Sequence, residues 1–242
     1  MKIKEVKSHI IQYDLKEELG YSQQYYQKRT GHLVEVVTDE GITGWGECFG
    51  PGNVAIANKV IVERVIQPMI LGENPLNRDV LWHKVYNLLR DHGQKGMPIQ
   101  ALSGVDIALW DILGKVTGLS ISRLIGGRFR EQVPVYGYGM MLRREKLPAL
   151  MDRFEDEAAA IKSSGFVATK MKVGLGPKQD VQLAESVRRG IGGDFPFMVD
   201  ANHCYTVDQA LYVGRALEEL DAYWFEEPVA PEPGIERLSA LV

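Results

Sequence analysis

The sequence has few of the features that mark secreted, membrane-bound or nucleic-acid-binding proteins. It contains only two cysteines, Cys48 and Cys204, and their spacing fits neither a disulfide framework nor a zinc site, so we expect a reducing cytoplasm. The first residues lack the apolar stretch of a signal peptide, and no uncharged apolar run approaches the length that spans a membrane. A net charge of −4 provides no basic footprint for nucleic acid. We therefore expect neither a membrane nor a nucleic-acid partner.

The first part of the chain predicts an α+β region. A polar, tyrosine-bearing stretch, residues 15–30, is typical of an exposed loop, and Asp39-Glu40-Gly41 is typical of a hairpin turn. Periodicity supplies the rest of the elements. The predicted strands are residues 2–13, 32–38 and 42–47, and the predicted helices are 54–71, 78–90 and one that starts at a Ser103 cap and ends by Gly118.

The pattern changes near residues 128–133, where strands begin to alternate with helices. Such alternation predicts a parallel sheet in an α/β region. Thr206 and Gln209 form a capping-box sequence at one helix start. The predicted strands are residues 133–138 and those that contain Lys170, Asp200 and Glu226, and the predicted helices are 146–163, 178–191, one from Thr206 and one that starts near Ile235.

Three consecutive strands of this region end in charged residues. Lys170 and Lys172 are two apart and therefore share a strand face, and Asp200 and Glu226 follow at gaps of 28 (200 − 172) and 26 (226 − 200), which are βα-unit lengths. An α/β barrel keeps its chemistry at the carboxyl ends of its strands. Two neighbouring ammonium groups disfavour each other's protonated form, so one lysine could act as a base near neutral pH.

The carboxylates favour magnesium over zinc, because they are hard oxygen ligands with no cysteine or histidine pattern around them. A single acidic residue at a strand end is more often a solvated terminus or a helix cap, and only the coincidence of three units favours function. The lysines could instead form a phosphate site. Gly174 and Gly176 give a poor dinucleotide loop, since the third glycine position falls on Gln179.

Further candidates surround these strands. Asn202 would share the face of Asp200 if the strand persists, and could hold a ligand or substrate oxygen. His203 could act as an acid or contact substrate, although a histidine after a strand more often makes loop hydrogen bonds. Glu227 alternates away from Glu226, so it is predicted to contact the site residues and not the metal or the substrate. The aromatic loop residues that could line a substrate lid are Tyr21, Tyr25 and Phe49, whereas Asp106, Trp110 and Asp111 are predicted to be structural.

At these residues the sequence resembles the enolase superfamily, in its mandelate racemase (mandelate racemase/muconate lactonizing enzyme-like) subgroup. The resemblance runs through the whole chain, and within the subgroup it is most similar to the galactarolactone and anhydrogalactonate cycloisomerases. The segments that carry it are Gly44-Trp45-Gly46-Glu47, residues 90–96, residues 101–111, Lys170-Met171-Lys172, Asp200-Ala201-Asn202-His203 and Trp224-Phe225-Glu226-Glu227-Pro228-Val229.

The resemblance implies an α+β capping domain, residues 1–130, followed by a (β/α)7β barrel of which residues 131–242 form the first part, strands 1–4. It also implies one Mg²⁺, a small-molecule carboxylate substrate and a homo-oligomer. By position, Lys172 is the base that removes the proton α to the substrate carboxylate, and Lys170 binds that carboxylate. Asp200 and Glu226 are two of three metal ligands. The family's third carboxylate and its His–Asp pair have no counterpart here, so we expect the chain to be the first part of a longer one and inactive alone.

The resulting hypothesis is a Mg²⁺-dependent lyase or isomerase that acts on a sugar acid or its lactone through an enediolate, as an acid-sugar dehydratase or cycloisomerase. The α-proton of a carboxylate is very weakly acidic, so the dianion needs neutralisation by cations. The alternative is a non-catalytic protein that binds an acid sugar or a phosphate on the same scaffold.

Overall fold

A computed structural model describes residues 1–231 and divides the chain into two compact units. The first contains Met1–Leu15 and Lys28–Glu131, and the second contains Lys16–Gln27 and Gln132–Val242. The predicted capping domain covers residues 1–130, and the segment Lys16–Gln27 within that range groups with the second unit. The helix predicted near Ile235 lies outside the described residues.

Three strands form the antiparallel meander that the sequence predicts. They are β1 (Ile3–Tyr21), β2 (Gln24–Thr38) and β3 (Thr43–Cys48), in the order β1-β2-β3. The prediction of an exposed loop over residues 15–30 is wrong. Strands β1 and β2 extend through this stretch and leave only a turn at Ser22 and Gln23. The sequence pattern did not reveal these strand ends, because most of their residues are exposed or half-buried and no apolar alternation marks them.

The first unit also contains the predicted helical stretches. The first helical stretch is continuous over three segments, and the middle segment is π-helical. The second helical stretch ends in a 3-10 turn. The bounds are α1 (Val54–Val60), the π-helical Ile61–Ile66, α2 (Gln67–Ile70), α3 (Arg78–Leu89), the 3-10 turn Arg90–His92, α4 (Met97–Thr117) and α5 (Ile121–Leu124).

Helix α4 packs directly on β3 and explains why glycines recur in both. A methyl group at Gly46 would overlap the carbonyl oxygen of Gly104, and one at Gly44 would overlap that of Ala108. Ser103 was predicted to cap this helix, but it lies inside α4. It stands next to Gly104, whose lack of a side chain allows the close approach to β3. The predicted helix end is confirmed, since Gly118 adopts the left-handed conformation (φ 67°).

Polar contacts around α4 support the structural role predicted for its acidic residues. The backbone N–H of Trp45 donates to Asp111 at 2.8 Å, and Arg78 donates to Asp106 at 2.9 Å while its guanidinium stacks over Trp110. The apolar core of this unit lies between the sheet and the helices. Its larger members include Ile3, Val34, Val36, Ile66, Leu81, Val105, Leu109 and Ile112.

The second unit contains a parallel sheet, as predicted. Its strands run in sequence order, which is the expected result of successive right-handed βα crossovers. The first predicted strand, residues 133–138, forms ladder pairs only at its last two residues. The elements are β4 (Gly137–Tyr138), α6 (Leu147–Ser163), β5 (Thr169–Lys172), α7 (Pro177–Ile191), β6 (Phe197–Asp200), α8 (Val207–Glu219) and β7 (Trp224–Glu226).

Helices α6, α7 and α8 bury their apolar faces against this sheet. The core includes Leu150, Phe154, Leu183, Val187 and Val213 from the helices, and Met171, Phe197 and Val199 from the strands. The predicted capping box is confirmed, with Thr206 and Gln209 each bonded to the other's backbone N–H. Among residues 1–231, no helix is both long and apolar enough to cross a membrane.

Candidate active site

The sheet register aligns the predicted site residues of three strands in one row. Lys172 of β5 pairs with Asp200 of β6, and Asp200 pairs with Glu226 of β7. Each is the last residue of its strand. In a parallel sheet, paired residues share a face, so this row collects one ammonium and two carboxylates at the carboxyl edge.

A second row lies one pleat below the first. It contains Tyr138, Lys170, Met198 and Trp224 in neighbouring strands. Lys170 and Lys172 are 8% and 7% exposed, and Asp200 is 2% exposed, so these three charges are largely removed from water, whereas Glu226 is half-buried. Buried charges require partners, and each of these groups has one.

Lys172 contacts two oxygens. Its Nζ lies 2.5 Å from Asp200 Oδ2 and 2.6 Å from Asn202 Oδ1. The ring of Tyr21, from the β1–β2 hairpin, is centred 5.8 Å from the same nitrogen. An ammonium has three N–H donors, and these two oxygens accept two of them.

Lys170 is held by Glu226. Its Nζ donates to both carboxylate oxygens, at 3.0 and 2.8 Å, and it lies 3.6 Å from Asp200 Oδ2. Burial lowers the pKa of Lys170, but the hydrogen bonds and charge of Glu226, assisted by Tyr136, outweigh burial and raise the pKa overall. At Lys170 the opposite charge of Glu226 therefore outweighs the repulsion expected between the two lysines.

Asn202 lies in the turn after β6 and not on the strand. Its φ is 46°. Its side chain nevertheless contacts two of the predicted site residues, Lys172 and Glu227. Oδ1 accepts from Lys172, Nδ2 donates to Glu227 at 3.0 Å, and the backbone N–H donates to Asp200 Oδ1 at 3.0 Å. Asn202 thus connects the lysine, the β6 carboxylate and the segment after β7.

His203 and Glu227 lie together behind Asn202. His203 Nδ1 lies 3.2 Å from the carbonyl oxygen of Val229, and its Nε2 lies 3.4 Å from Glu227. Because Glu227 also accepts from Asn202, its placement is that of a supporting group, as the alternation in the sequence indicates.

The three predicted lid aromatics have different surroundings within their own units. Tyr21 faces Lys172, whereas Tyr25 packs against the core of the second unit with the Arg144 guanidinium 4.4 Å from its ring centre. The pKa of Tyr25 is raised above its ordinary value, and the largest cause is burial of its ring. Phe49 belongs to the first unit, where its side chain is 71% exposed.

Several further residues that were not predicted from the sequence contact the site. The indole N–H of Trp224 donates to Glu226 at 3.1 Å, and the rings of Tyr136 and Tyr138 lie 5.5 and 5.6 Å from Lys170 Nζ. A signal was present for Trp224, because it stands two residues before Glu226 and so shares its strand face. Ser22 and Gln23, which bond to the turn after β6, gave no such signal.

Two family profiles match the chain. The mandelate racemase / muconate lactonizing enzyme N-terminal domain matches residues 14–126, and the enolase C-terminal domain-like family matches residues 153–242. The chain belongs to the mandelate racemase and muconate lactonizing enzyme group of the enolase superfamily. The antiparallel sheet with its helices is thus the N-terminal domain type of this group, and the parallel sheet belongs to its barrel.

Members of the superfamily with known activities resemble this chain closely. It is 40% identical over 235 residues to the D-galactarolactone cycloisomerase of Agrobacterium fabrum, covering 96% of this chain and 60% of that protein. It is 35% identical over 196 residues to the arabinonate dehydratase of Saccharolobus solfataricus, covering 81% and 51%. The chain therefore spans between half and two thirds of the length of these curated relatives.

Solved structures agree with this assignment. The 3,6-anhydro-D-galactonate cycloisomerase of Zobellia galactanivorans matches with a TM-score of 0.86 and 34% identity, over 100% of this chain and 62% of that one. A racemase of Streptomyces coelicolor A3(2) with bound magnesium matches with a TM-score of 0.89 and 30% identity, over 99% and 66%. The predicted resemblance to the enolase superfamily is confirmed.

The residues present fit the magnesium ion that the superfamily implies. Asp200 and Glu226 are adjacent in register, and both reach one cationic centre, the Lys170 ammonium. Two carboxylates that converge on a shared cation have the hard-oxygen chemistry of a Mg²⁺ site. Among residues 1–231, no group of three or more metal-ligating His, Cys, Asp or Glu side chains occurs.

Proposed function

We propose that the protein is a Mg²⁺-dependent lyase or isomerase that removes the proton α to the carboxylate of a sugar acid or its lactone. The observation that carries the proposal is the row of Lys172, Asp200 and Glu226 at the ends of three neighbouring strands, with Lys170 one pleat below. The named activities of the superfamily members that this chain resembles, cycloisomerases and a dehydratase, support the same reaction class.

In this proposal Lys172 accepts the α-proton in its neutral form. Asp200 and Asn202 occupy two directions around its nitrogen and so orient the third toward the substrate. A general base must be held within hydrogen-bonding distance of the proton that it removes, and these two oxygens fix where the nitrogen can reach.

Lys170 binds the substrate carboxylate. Glu226 keeps this lysine protonated, and a fixed ammonium next to the reacting carbon stabilises negative charge that develops on the carboxylate oxygens. The two lysines therefore have different tasks, and their different partners set them apart.

Asp200 and Glu226 are the side chains that would hold Mg²⁺. When bound, the ion supplies Lewis-acid stabilisation of the enediolate oxygens. Trp224 orients one of its ligands, because the indole N–H donates to a Glu226 oxygen.

The electron pair of the broken C–H bond first moves into the carboxylate group, which becomes the enediolate. It then returns to form the bond between the α- and β-carbons as the bond from the β-carbon to oxygen breaks. If hydroxide leaves and takes a proton, the reaction is a dehydration. If a ring oxygen leaves, the ring opens. In both cases the product is an enol that becomes a 2-keto acid.

The test is a screen of sugar acids and their lactones with Mg²⁺, using the full-length gene product in D₂O. Deuterium incorporation at the α-carbon, or formation of a 2-keto acid, supports the proposal. A protein that binds an acid sugar or phosphate yet exchanges no α-proton in any of these compounds would be the non-catalytic alternative.

A further inference from the structure

The turn that follows β6 has an unusual backbone. Asn202 and His203 are consecutive non-glycine residues with positive φ, 46° and 66°. Such residues are uncommon, and they persist where surrounding contacts determine the conformation. The turn therefore needs surrounding contacts that hold it.

The tip of the β1–β2 hairpin supplies these partners. The single hydroxyl hydrogen of Ser22 is shared between the carbonyl oxygens of Ala201 at 2.8 Å and Asn202 at 3.2 Å, and Gln23 Nε2 donates to that of Asn202 at 2.8 Å. Both donors belong to the same compact unit as the turn. Two consecutive carbonyls of the turn thus accept from a segment about 180 residues earlier in the chain.

The hairpin tip is itself fixed within this unit. Gly20 exchanges two backbone hydrogen bonds with Leu142, at 2.7 and 2.9 Å, and Glu17 accepts from Arg143 at 3.1 Å. Ser22 lies against Gly174, where a methyl group would overlap the serine Cβ. Because backbone pairing and close packing hold the tip, Ser22 and Gln23 can impose a position on the turn.

The turn transmits this position to Lys172 through one side chain. Asn202 Oδ1 accepts from Lys172 Nζ at 2.6 Å, and its Nδ2 is anchored on Glu227 at 3.0 Å. If the backbone of Asn202 rotates, its amide oxygen moves away from the lysine. One of the two oxygens that orient the lysine nitrogen is then lost.

We propose that Ser22 and Gln23 are positioning residues for Lys172, which act through the turn after β6 and the side chain of Asn202. This inference rests on the proposed function, since it assigns a role in proton removal by Lys172. The hairpin tip is accordingly a fixed support of the site, and its hydrogen bonds set the rate of proton transfer more than the affinity for substrate.

The first test compares substitutions in the full-length gene product. Ser22→Ala removes one donor, and Gln23→Glu replaces a donor with a carboxylate that faces the Asn202 carbonyl. We expect each to lower the rate of α-proton exchange about five- to tenfold, the order that one hydrogen bond supports, with KM changed less than about twofold. Ser164→Ala is the matched control, because this exposed hydroxyl also donates to a backbone carbonyl, that of Ala160 at 2.8 Å. It should leave the rate unchanged.

The second test separates positioning from general stability. In the Asn202→Ala background, Ser22→Ala should cause no further loss of rate, because the side chain through which it acts is gone. Losses that multiply in the double variant, or wild-type rates in both Ser22→Ala and Gln23→Glu, would overturn the inference.

Amide hydrogen exchange gives a readout that does not depend on activity. The N–H of His203 donates to the Glu227 carbonyl at 2.7 Å, and Ser22→Ala and Gln23→Glu should both increase exchange at residues 202–203 while α6 is unchanged. If the wild-type protein exchanges no α-proton, the proposed function fails. The amide hydrogen exchange then tests only whether Ser22 and Gln23 hold the turn after β6. Unchanged protection in both variants would then show that the hairpin does not hold the turn.

Discussion

Asp180 should be among the most sensitive positions in the second unit, although it lies outside the row of charged residues. Its carboxylate is 1% exposed and accepts four hydrogen bonds. Three come from the backbone N–H groups of Gly174, Leu175 and Gly176, at 2.9 to 3.0 Å, and one comes from the Tyr205 hydroxyl at 2.6 Å. This carboxylate fixes the loop that follows the lysine strand.

The structure sets the size of the effect. A hydrogen bond to a charged group contributes about 1.5–3 kcal/mol net, and four that share one carboxylate are not additive. Asp180→Ala leaves three backbone donors and a buried hydroxyl without their acceptor, so we expect unfolding free energy to fall by about 4–5 kcal/mol, at the upper end for single substitutions. Asp180→Asn keeps one acceptor oxygen and should lose about half as much.

The assay is urea unfolding followed by circular dichroism, with amide hydrogen exchange at residues 174–176. The matched control is Asp208→Asn, since Asp208 stands in the first turn of the next helix but is exposed, and it should change stability by less than about 0.5 kcal/mol. A loss below about 1 kcal/mol for Asp180→Ala, with the loop still protected, would refute the reasoning.

Three further substitutions test other parts of the molecule. Gly46→Ala places a methyl group on the Gly104 carbonyl and should destabilise the first unit by about 3 kcal/mol in urea unfolding, whereas Gly193→Ala, with open space around it, should be neutral. Burial lowers the pKa of His32, so on acidification the unfolded chain binds a proton at this residue at higher pH than the folded protein does, and stability falls as pH drops below about 6.5. His32→Leu should remove up to about 1.4 kcal/mol of that loss of stability between pH 7.5 and 5.5. An unchanged pH dependence of stability would contradict this. Asp200→Asn should weaken Mg²⁺ binding on the order of 100-fold by calorimetric titration, and an unchanged titration would remove Asp200 from the metal site.

The sequence was sufficient for the features that local chemistry determines. The spacing of Lys170, Lys172, Asp200 and Glu226 predicted one edge of a parallel sheet, because period-2 alternation and βα-unit lengths leave little freedom. The Thr206 capping box was equally local. These predictions needed no knowledge of distant residues.

Features that depend on distant partners could not be predicted. The hairpin over residues 15–30 has no apolar alternation, so only its pairing defines it as strand. The start of α4 was misplaced because Gly104 reflects packing on β3 and not a helix boundary. The raised pKa of Lys170 depends on Glu226, which lies 56 residues away in sequence.

The most direct test of the central claim is a comparison of Lys172→Met with Lys178→Met in the full-length gene product. Both remove one ammonium, but Lys172 lies in the row of charged residues and Lys178 is exposed on α7. We predict that, with a turned-over sugar acid in D₂O and Mg²⁺, Lys172→Met abolishes α-deuterium incorporation while retaining its fold by circular dichroism, and Lys178→Met exchanges at the wild-type rate. Wild-type α-exchange in folded Lys172→Met would contradict the assignment of Lys172 as the base.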